Sequence, residues 1–214
     1  MRLSRTDEAV AVSASRLPAP IDPRARRRLL AGLASAGLLS ACGGQRPLAL
    51  HGINLTGRDF ARDFQLFDPQ GRVRRLAEFR GRPVLLFFGF TQCPDVCPTA
   101  LTRAVRIRKL LGAQGAALQV IFVTLDPERD TPKVLDTYVR AFDPSFLGLY
   151  GNAERTARTA KDFRVVYAKV PTGASYTIDH SALSYVFDAQ GALRIALRHE
   201  QSAQHCVDDI RQIL

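Results

Sequence analysis

Pro83-Val-Leu-Leu-Phe-Phe-Gly-Phe-Thr-Gln-Cys93-Pro-Asp-Val-Cys97-Pro98 is the segment on which the fold turns. Pro83 to Phe90 is a continuous apolar run with glycine near both ends. At this length it reads as a strand buried on both faces. Thr99 to Leu111 then has helical spacing, with Leu101, Val105, Arg108 and Leu111 on one face and Gly112 as the stop. The two cysteines therefore sit where a buried strand ends and a helix begins. Open α/β sheets bind ligands beyond the carboxyl ends of their strands. A helix N-terminus also favours thiolate over thiol. Pro98 disfavours the α conformation at Cys97, which predicts a helix starting near Cys97 and a Cys-x-x-x-Cys loop before it. The two sulfurs of such a loop can still converge to disulfide distance.

Downstream, Leu118 to Leu125 reads as a second buried strand, and Pro132 to Phe142 as a helix with proline in its first turn. Ala153 to Phe163 reads as a third helix, Ser184 to Ala196 as a hairpin, and Ser202 to Leu214 as a closing helix. Upstream, Phe64 to Leu76 reads as two short strands around Asp68-Pro-Gln-Gly71. Strand–helix–strand–helix followed by hairpin and helix predicts an α/β chain of thioredoxin-like fold. Its mixed central sheet would be flanked by helices and carry an N-terminal hairpin. No internal repeat or low-complexity tract interrupts it.

The chain has 214 residues, 46% of them hydrophobic and 23% charged, which is enough apolar material for a core. No run approaches the roughly 18 apolar residues of a membrane span. The shorter run Leu29 to Leu39 follows Arg24, Arg26, Arg27 and Arg28 and ends in Leu39-Ser-Ala-Cys42-Gly43, the pattern of an export signal. Leu-Ser-Ala-Cys resembles the lipobox of bacterial lipoproteins, which implies diacylglyceryl transfer to Cys42. Arg26-Arg27-Arg28-Leu29-Leu30 resembles a twin-arginine signal, with Ala25 where Ser or Thr is usual. An uncleaved anchor is the lesser alternative, because the run is too short to span. The expected organisation is an export and lipoprotein signal over 1–41, a tether over 42–50 and a folded domain over 51–214. This describes an exported, periplasmic, membrane-anchored lipoprotein of a bacterium.

The formal net charge is +10, and residues 1–41 contribute seven Arg against three acidic residues. The remainder is only moderately basic. Its arginines, among them Arg58, Arg72 and Arg82, are scattered and not interleaved with aromatics, which argues against a nucleic-acid partner.

Setting Cys42 aside, three cysteines remain in an oxidising compartment: Cys93, Cys97 and Cys206. Cys93 and Cys97 are close enough to pair. A structural disulfide between them would close too small a loop to constrain the unfolded chain much, which favours a functional pair. Thiolates suit Cu(I) or Zn(II), but two leave either metal short of ligands. The third would come from His51, His180, His199 or His205. His180 lies in the polar segment Tyr176 to Ser181, read as a loop that a thioredoxin-like fold would place beside the cysteines. Cys206 shares a helix face with Ile210 and Ile213 and reads as a buried thiol. Asp126 and Asp130 read as turn and cap residues. A second metal site at His205 follows no known pattern.

Three motifs then carry a resemblance: Phe88-Gly-Phe-Thr-Gln-Cys-Pro-Asp-Val-Cys-Pro-Thr99, Val123-Thr-Leu-Asp-Pro-Glu-Arg-Asp-Thr131 and Ile178-Asp-His-Ser181. In this order and spacing they resemble the Sco/SenC family over roughly residues 51–214. The resemblance implies a copper chaperone for the copper A subunit of cytochrome c oxidase. Cys93, Cys97 and His180 would bind one copper, as Cu(I) or alternatively Cu(II). It also implies a redox role for Cys93 and Cys97, which would keep the copper A cysteines reduced. Other periplasmic copper carriers or thiol reductases would be further partners. The competing reading is a membrane-tethered thiol-disulfide oxidoreductase without metal. Against it stand the three-residue spacing, where thioredoxins have two, and His180, which dithiol chemistry does not need. A copper or redox sensor is a third reading.

Overall fold

A computed structural model describes residues 48–214. The expected signal of residues 1–41 and the lipidation site Cys42 lie outside the described residues, as does most of the 42–50 tether. In chain order the strands begin with Ile53–Asn54 (β1), Leu66–Phe67 (β2), Val73–Arg74 (β3) and Val84–Gly89 (β4). Helix Val96–Leu111 (α1) and the short helix Ala113–Ala117 (α2) follow, then strand Gln119–Thr124 (β5) and helix Pro132–Phe142 (α3). After them come Leu147–Leu149 (β6), helix Ala153–Asp162 (α4), Tyr167–Thr172 (β7) and Ser175–His180 (β8). Ser184–Phe187 (β9), Leu193–Leu197 (β10) and helix Ala203–Arg211 (α5) complete the chain. Among the described residues, no helix is long and apolar enough to cross a membrane.

The central sheet runs β1-β10-β9-β4-β5-β6. β4, β5 and β6 are parallel neighbours, whereas β9 pairs antiparallel with β4 and β10 antiparallel with β9. Every residue of β4 and β5 is buried, as the unbroken apolar runs predict. Phe88, Phe122 and Ile121 are fully inaccessible, and each such side chain contributes on the order of 1.5–3 kcal/mol through burial. The mixed sheet, the flanking helices and the N-terminal β2–β3 hairpin are those expected from sequence.

Two turns show why those hairpins were legible. In Asp68-Pro-Gln-Gly71, the buried Asp68 carboxylate accepts from the backbone N–H groups of Gln70 and Arg72, and Gly71 has φ 77°. Asp188-Ala-Gln-Gly191 repeats the device, with Asp188 accepting from Gln190 and Ala192 and Gly191 at φ 81°. A side-chain acceptor first and a residue free to take positive φ last is what such a turn requires.

Three expectations are corrected. α1 begins at Val96, so Cys97 and Pro98 are its second and third residues and not part of a loop. A proline in the first turn loses only an N–H that has no helical partner there. The steric penalty on Cys97 is outweighed by its complete burial in the core. The segment Tyr176–Ser181 is not a loop either. Its first five residues belong to β8, which pairs with β7 over six residues to form a separate two-stranded sheet. The buried face of α1 is Cys97, Ala100, Leu101, Ala104, Ile107 and Leu111, with Val105 and Arg108 at its margin.

Candidate metal centre

β4 delivers the chain to the sheet's carboxyl edge, where Phe90 to Asp95 turns into α1. The loop is held from β5 and the segment after it. The Asp130 carboxylate accepts from the Thr91 N–H at 3.0 Å, the Thr91 hydroxyl at 2.6 Å and the Thr124 hydroxyl at 2.5 Å. Asp130 is 1% exposed, and burial raises its pKa above the usual carboxylate range against the pull of those donors. Asp130 is thus a brace for the cysteine loop, which goes beyond the turn or cap role expected from sequence. Asp126 is buried as well, and it accepts from the Tyr176 hydroxyl at 2.8 Å and pairs with the Arg129 Nε.

Cys93 is half-buried and Cys97 fully buried, and both are free thiols. The backbone N–H of Cys97 points at the Cys93 sulfur, 3.4 Å away. A hydrogen bond from the Cys97 thiol, opposed by burial and aided by that N–H, pulls the Cys93 pKa down to about 5. The same bond and burial push Cys97 up. The coupled pair therefore loses its first proton from the Cys93 end and keeps the second at Cys97.

His180 closes the site from the end of β8. Its Nε2 lies 3.8 Å from the Cys97 sulfur across 83 residues of chain. Its Nδ1 lies 3.0 Å from the Ser181 carbonyl, which cannot donate, so the proton belongs on Nδ1 and Nε2 presents a lone pair to the sulfurs. The rings of Phe87 and Phe90 pack edgewise on the imidazole at 6.0 and 6.1 Å. The ligand atoms of Cys93, Cys97 and His180 all lie within 4.8 Å of one another, and among the described residues this is the one such cluster of three. A cleft of about 300 Å³ lined by Phe90, Cys93, Pro94, Ile178 and His180 opens it to solvent. Two sulfurs and one imidazole form a soft donor set suited to Cu(I).

The other candidates stand apart. His51 and His205 stack on each other at 4.0 Å with both side chains exposed. His199 lines a different hollow with Arg103 and Ser202. Cys206 is fully buried in α5, and burial raises its pKa to about 11. The sequence reading passed over Phe87, which looked like core, and Arg129. Arg129 stands inside the motif Val123–Thr131, but its contacts run to the β7–β8 hairpin, far away in sequence.

The sequence profile described as SCO1/SenC matches residues 54–214. The chain is 38% identical over 210 residues to the mitochondrial SCO2 homolog of Bos taurus, a match covering 90% of this chain and 77% of that protein. It spans less than two thirds of the length of several other curated relatives. Among solved structures, copper-bound ScoI of Bradyrhizobium japonicum has TM-score 0.65 and 36% identity, covering 71% of this chain and 98% of that one. Apo Sco1 of Thermus thermophilus has TM-score 0.70 and 39% identity, covering 79% and 99%. A profile match across three quarters of the chain, together with relatives at this identity, establishes that the chain belongs to the SCO1/SenC family.

Proposed function

We propose that this protein is a copper chaperone of cytochrome c oxidase assembly, carrying copper at Cys93, Cys97 and His180 as its cargo. The observation that carries the reading is the convergence of two sulfurs and one lone-pair nitrogen within 4.8 Å at a solvent-open cleft. A copper-bound relative at 36% identity supports the choice of metal. Burial divides the labour among the ligands. Cys97 is the fixed anchor, whereas half-exposed Cys93 and His180 are the ligands an acceptor can displace first. Transfer then proceeds by ligand exchange to the copper A subunit.

Cys93 and Cys97 also serve as a redox pair. The Cys93 thiolate attacks an acceptor disulfide, and Cys97 resolves the mixed disulfide. The acceptor leaves with two thiols while a Cys93–Cys97 disulfide forms here, and copper is then released for want of thiolates. The lowered Cys93 pKa supports this second activity, and with it the alternative of a thiol-disulfide oxidoreductase without metal. Residues 1–41 are proposed as an export signal, Cys42 as the lipidated residue and 42–50 as a tether, so that the domain 51–214 works on the periplasmic membrane surface.

Competition for Cu(I) against a chromophoric chelator tests the reading. The purified protein is expected to bind one Cu(I) tightly. Cys93→Ser or Cys97→Ser should abolish this, and His180→Ala should weaken it. Unchanged affinity in His180→Ala would remove the third ligand. Efficient disulfide reduction with no copper binding would favour the oxidoreductase.

A further inference from the structure

We propose that Arg129, acting through Tyr176, is the positioning residue that holds His180 at the cysteine pair. The inference rests on the copper reading above for its consequence and on the following geometry for its substance.

His180 is the last residue of β8, and the β7–β8 hairpin lies outside the central sheet. β7 is exposed along almost its entire length, so burial of its side chains cannot fix the hairpin's place. Strand periodicity puts Tyr176, Ile178 and His180 on one face. Along that face Ile178 is buried, with Tyr176 and His180 half-buried on either side. Ile178 seats the middle and His180 must reach the sulfurs; β7 adds only the exposed Lys169–Glu128 ion pair, which contributes little, so the orientation falls chiefly to Tyr176.

Arg129 grips Tyr176 in three ways. Its Nη1 donates to the Tyr176 carbonyl at 2.8 Å, and its guanidinium stacks on the Tyr176 ring at 3.7 Å. Its Nε pairs with Asp126, whose other carboxylate oxygen accepts the Tyr176 hydroxyl at 2.8 Å. The guanidinium carbon also lies 6.0 Å from the centre of the Phe90 ring, the same ring that packs on His180. Arg129 thus joins the rim of the cysteine loop to the strand bearing the third ligand. Its Nη2 is buried with no hydrogen-bond partner. A planar fork held in this fashion costs desolvation, and a shorter cation could not reproduce it. Tyr176 and His180 are four positions apart, about 13 Å of strand, so a small rotation at the grip becomes a displacement of the imidazole.

The test uses the full chain with Arg129→Ala, Arg129→Lys, Tyr176→Leu and Tyr176→Phe, each alone and combined with His180→Ala. Two readouts are needed: Cu(I) affinity by chelator competition and backbone amide exchange without metal. Arg129→Ala, Arg129→Lys and Tyr176→Leu are expected to speed exchange in β8 by about tenfold or more while β4 and β5 keep their protection. Each should weaken Cu(I) binding toward the level of His180→Ala and weaken it no further when combined with His180→Ala. Tyr176→Phe keeps the ring and carbonyl and should recover most of the affinity. Additive losses with His180→Ala would overturn the proposal, because a general loss of structure does not depend on His180. Unchanged β8 exchange in both Arg129 variants would overturn it as well. If His180→Ala itself leaves Cu(I) affinity unchanged, His180 is not a copper ligand and that part of the copper reading fails, and amide exchange still decides whether Arg129 holds the hairpin.

Discussion

Cys93 and Cys97 are chemically unequal although only three residues separate them. A shared proton and unequal burial make Cys93 the thiolate and Cys97 the retained thiol. Depression of the Cys93 pKa means that acid removes the nucleophile. Alkylation of Cys93 by iodoacetamide should fall away as pH drops through about 5, while Cys97 stays slow throughout, measurable by peptide mass mapping. Because the Cys97 thiol is the leading cause, Cys97→Ala should move the Cys93 midpoint upward. Gly89 matters for a steric reason. A methyl group there would sit 2.7 Å from the Cys97 sulfur and 2.9 Å from the Phe122 ring. Gly89→Ala should therefore displace Cys97, weaken Cu(I) binding and cost about 1–3 kcal/mol in urea unfolding.

Strand β4 and helix α1 were legible because each carries its own signal, a fully apolar run and a helical period. The β7–β8 hairpin carried none. β7 is exposed along almost its whole length, and the inner face of β8 offers Ile178 as its one fully buried residue, too little alternation to announce a strand. The helix start expected near Cys97 lies at Val96, one residue earlier, because tertiary burial draws Cys97 into the first turn despite Pro98. The far side of α1 is fastened by Arg103, 8% exposed, whose Nη1 donates to the carbonyls of Arg198, His199 and Gln201. Arg103→Ala leaves three carbonyls short of a donor at the β10–α5 junction. It should lower stability by about 2–3 kcal/mol in denaturant titration and leave the Cu(I) stoichiometry unchanged.

The sheet order β9-β4-β5 places the C-terminal hairpin beside the strand that ends at the cysteines, and so the site depends on the chain folding as one unit. Its N-terminal entry is tied to its last helix. The buried Asp209 carboxylate accepts from the N–H groups of His51 at 2.7 Å and Gly52 at 2.8 Å. Cys206 sits in the same helix, remote from the cluster of ligands and fully buried. Cys206→Ser should leave Cu(I) affinity intact and lower thermal stability by about 1–3 kcal/mol, the cost of burying a hydroxyl in place of a thiol. A loss of copper binding in that variant would show that Cys206 takes part after all.

Residues 83–112 read alone were enough to specify a buried strand, a helix and a thiol pair at their junction, because those features arise from local pattern and from the chemistry of adjacent residues. Three motifs in order carry the resemblance that implies His180 as the third ligand. Which imidazole nitrogen meets the sulfurs, which cysteine gives up its proton and what steadies the hairpin were decided only by packing. Unequal burial divides the proton between Cys93 and Cys97, and the rest depends on contacts between residues far apart in sequence: Cys97 with His180, Thr91 with Asp130, and Arg129 with Tyr176. No local periodicity encodes such contacts, and the sheet must form before they exist.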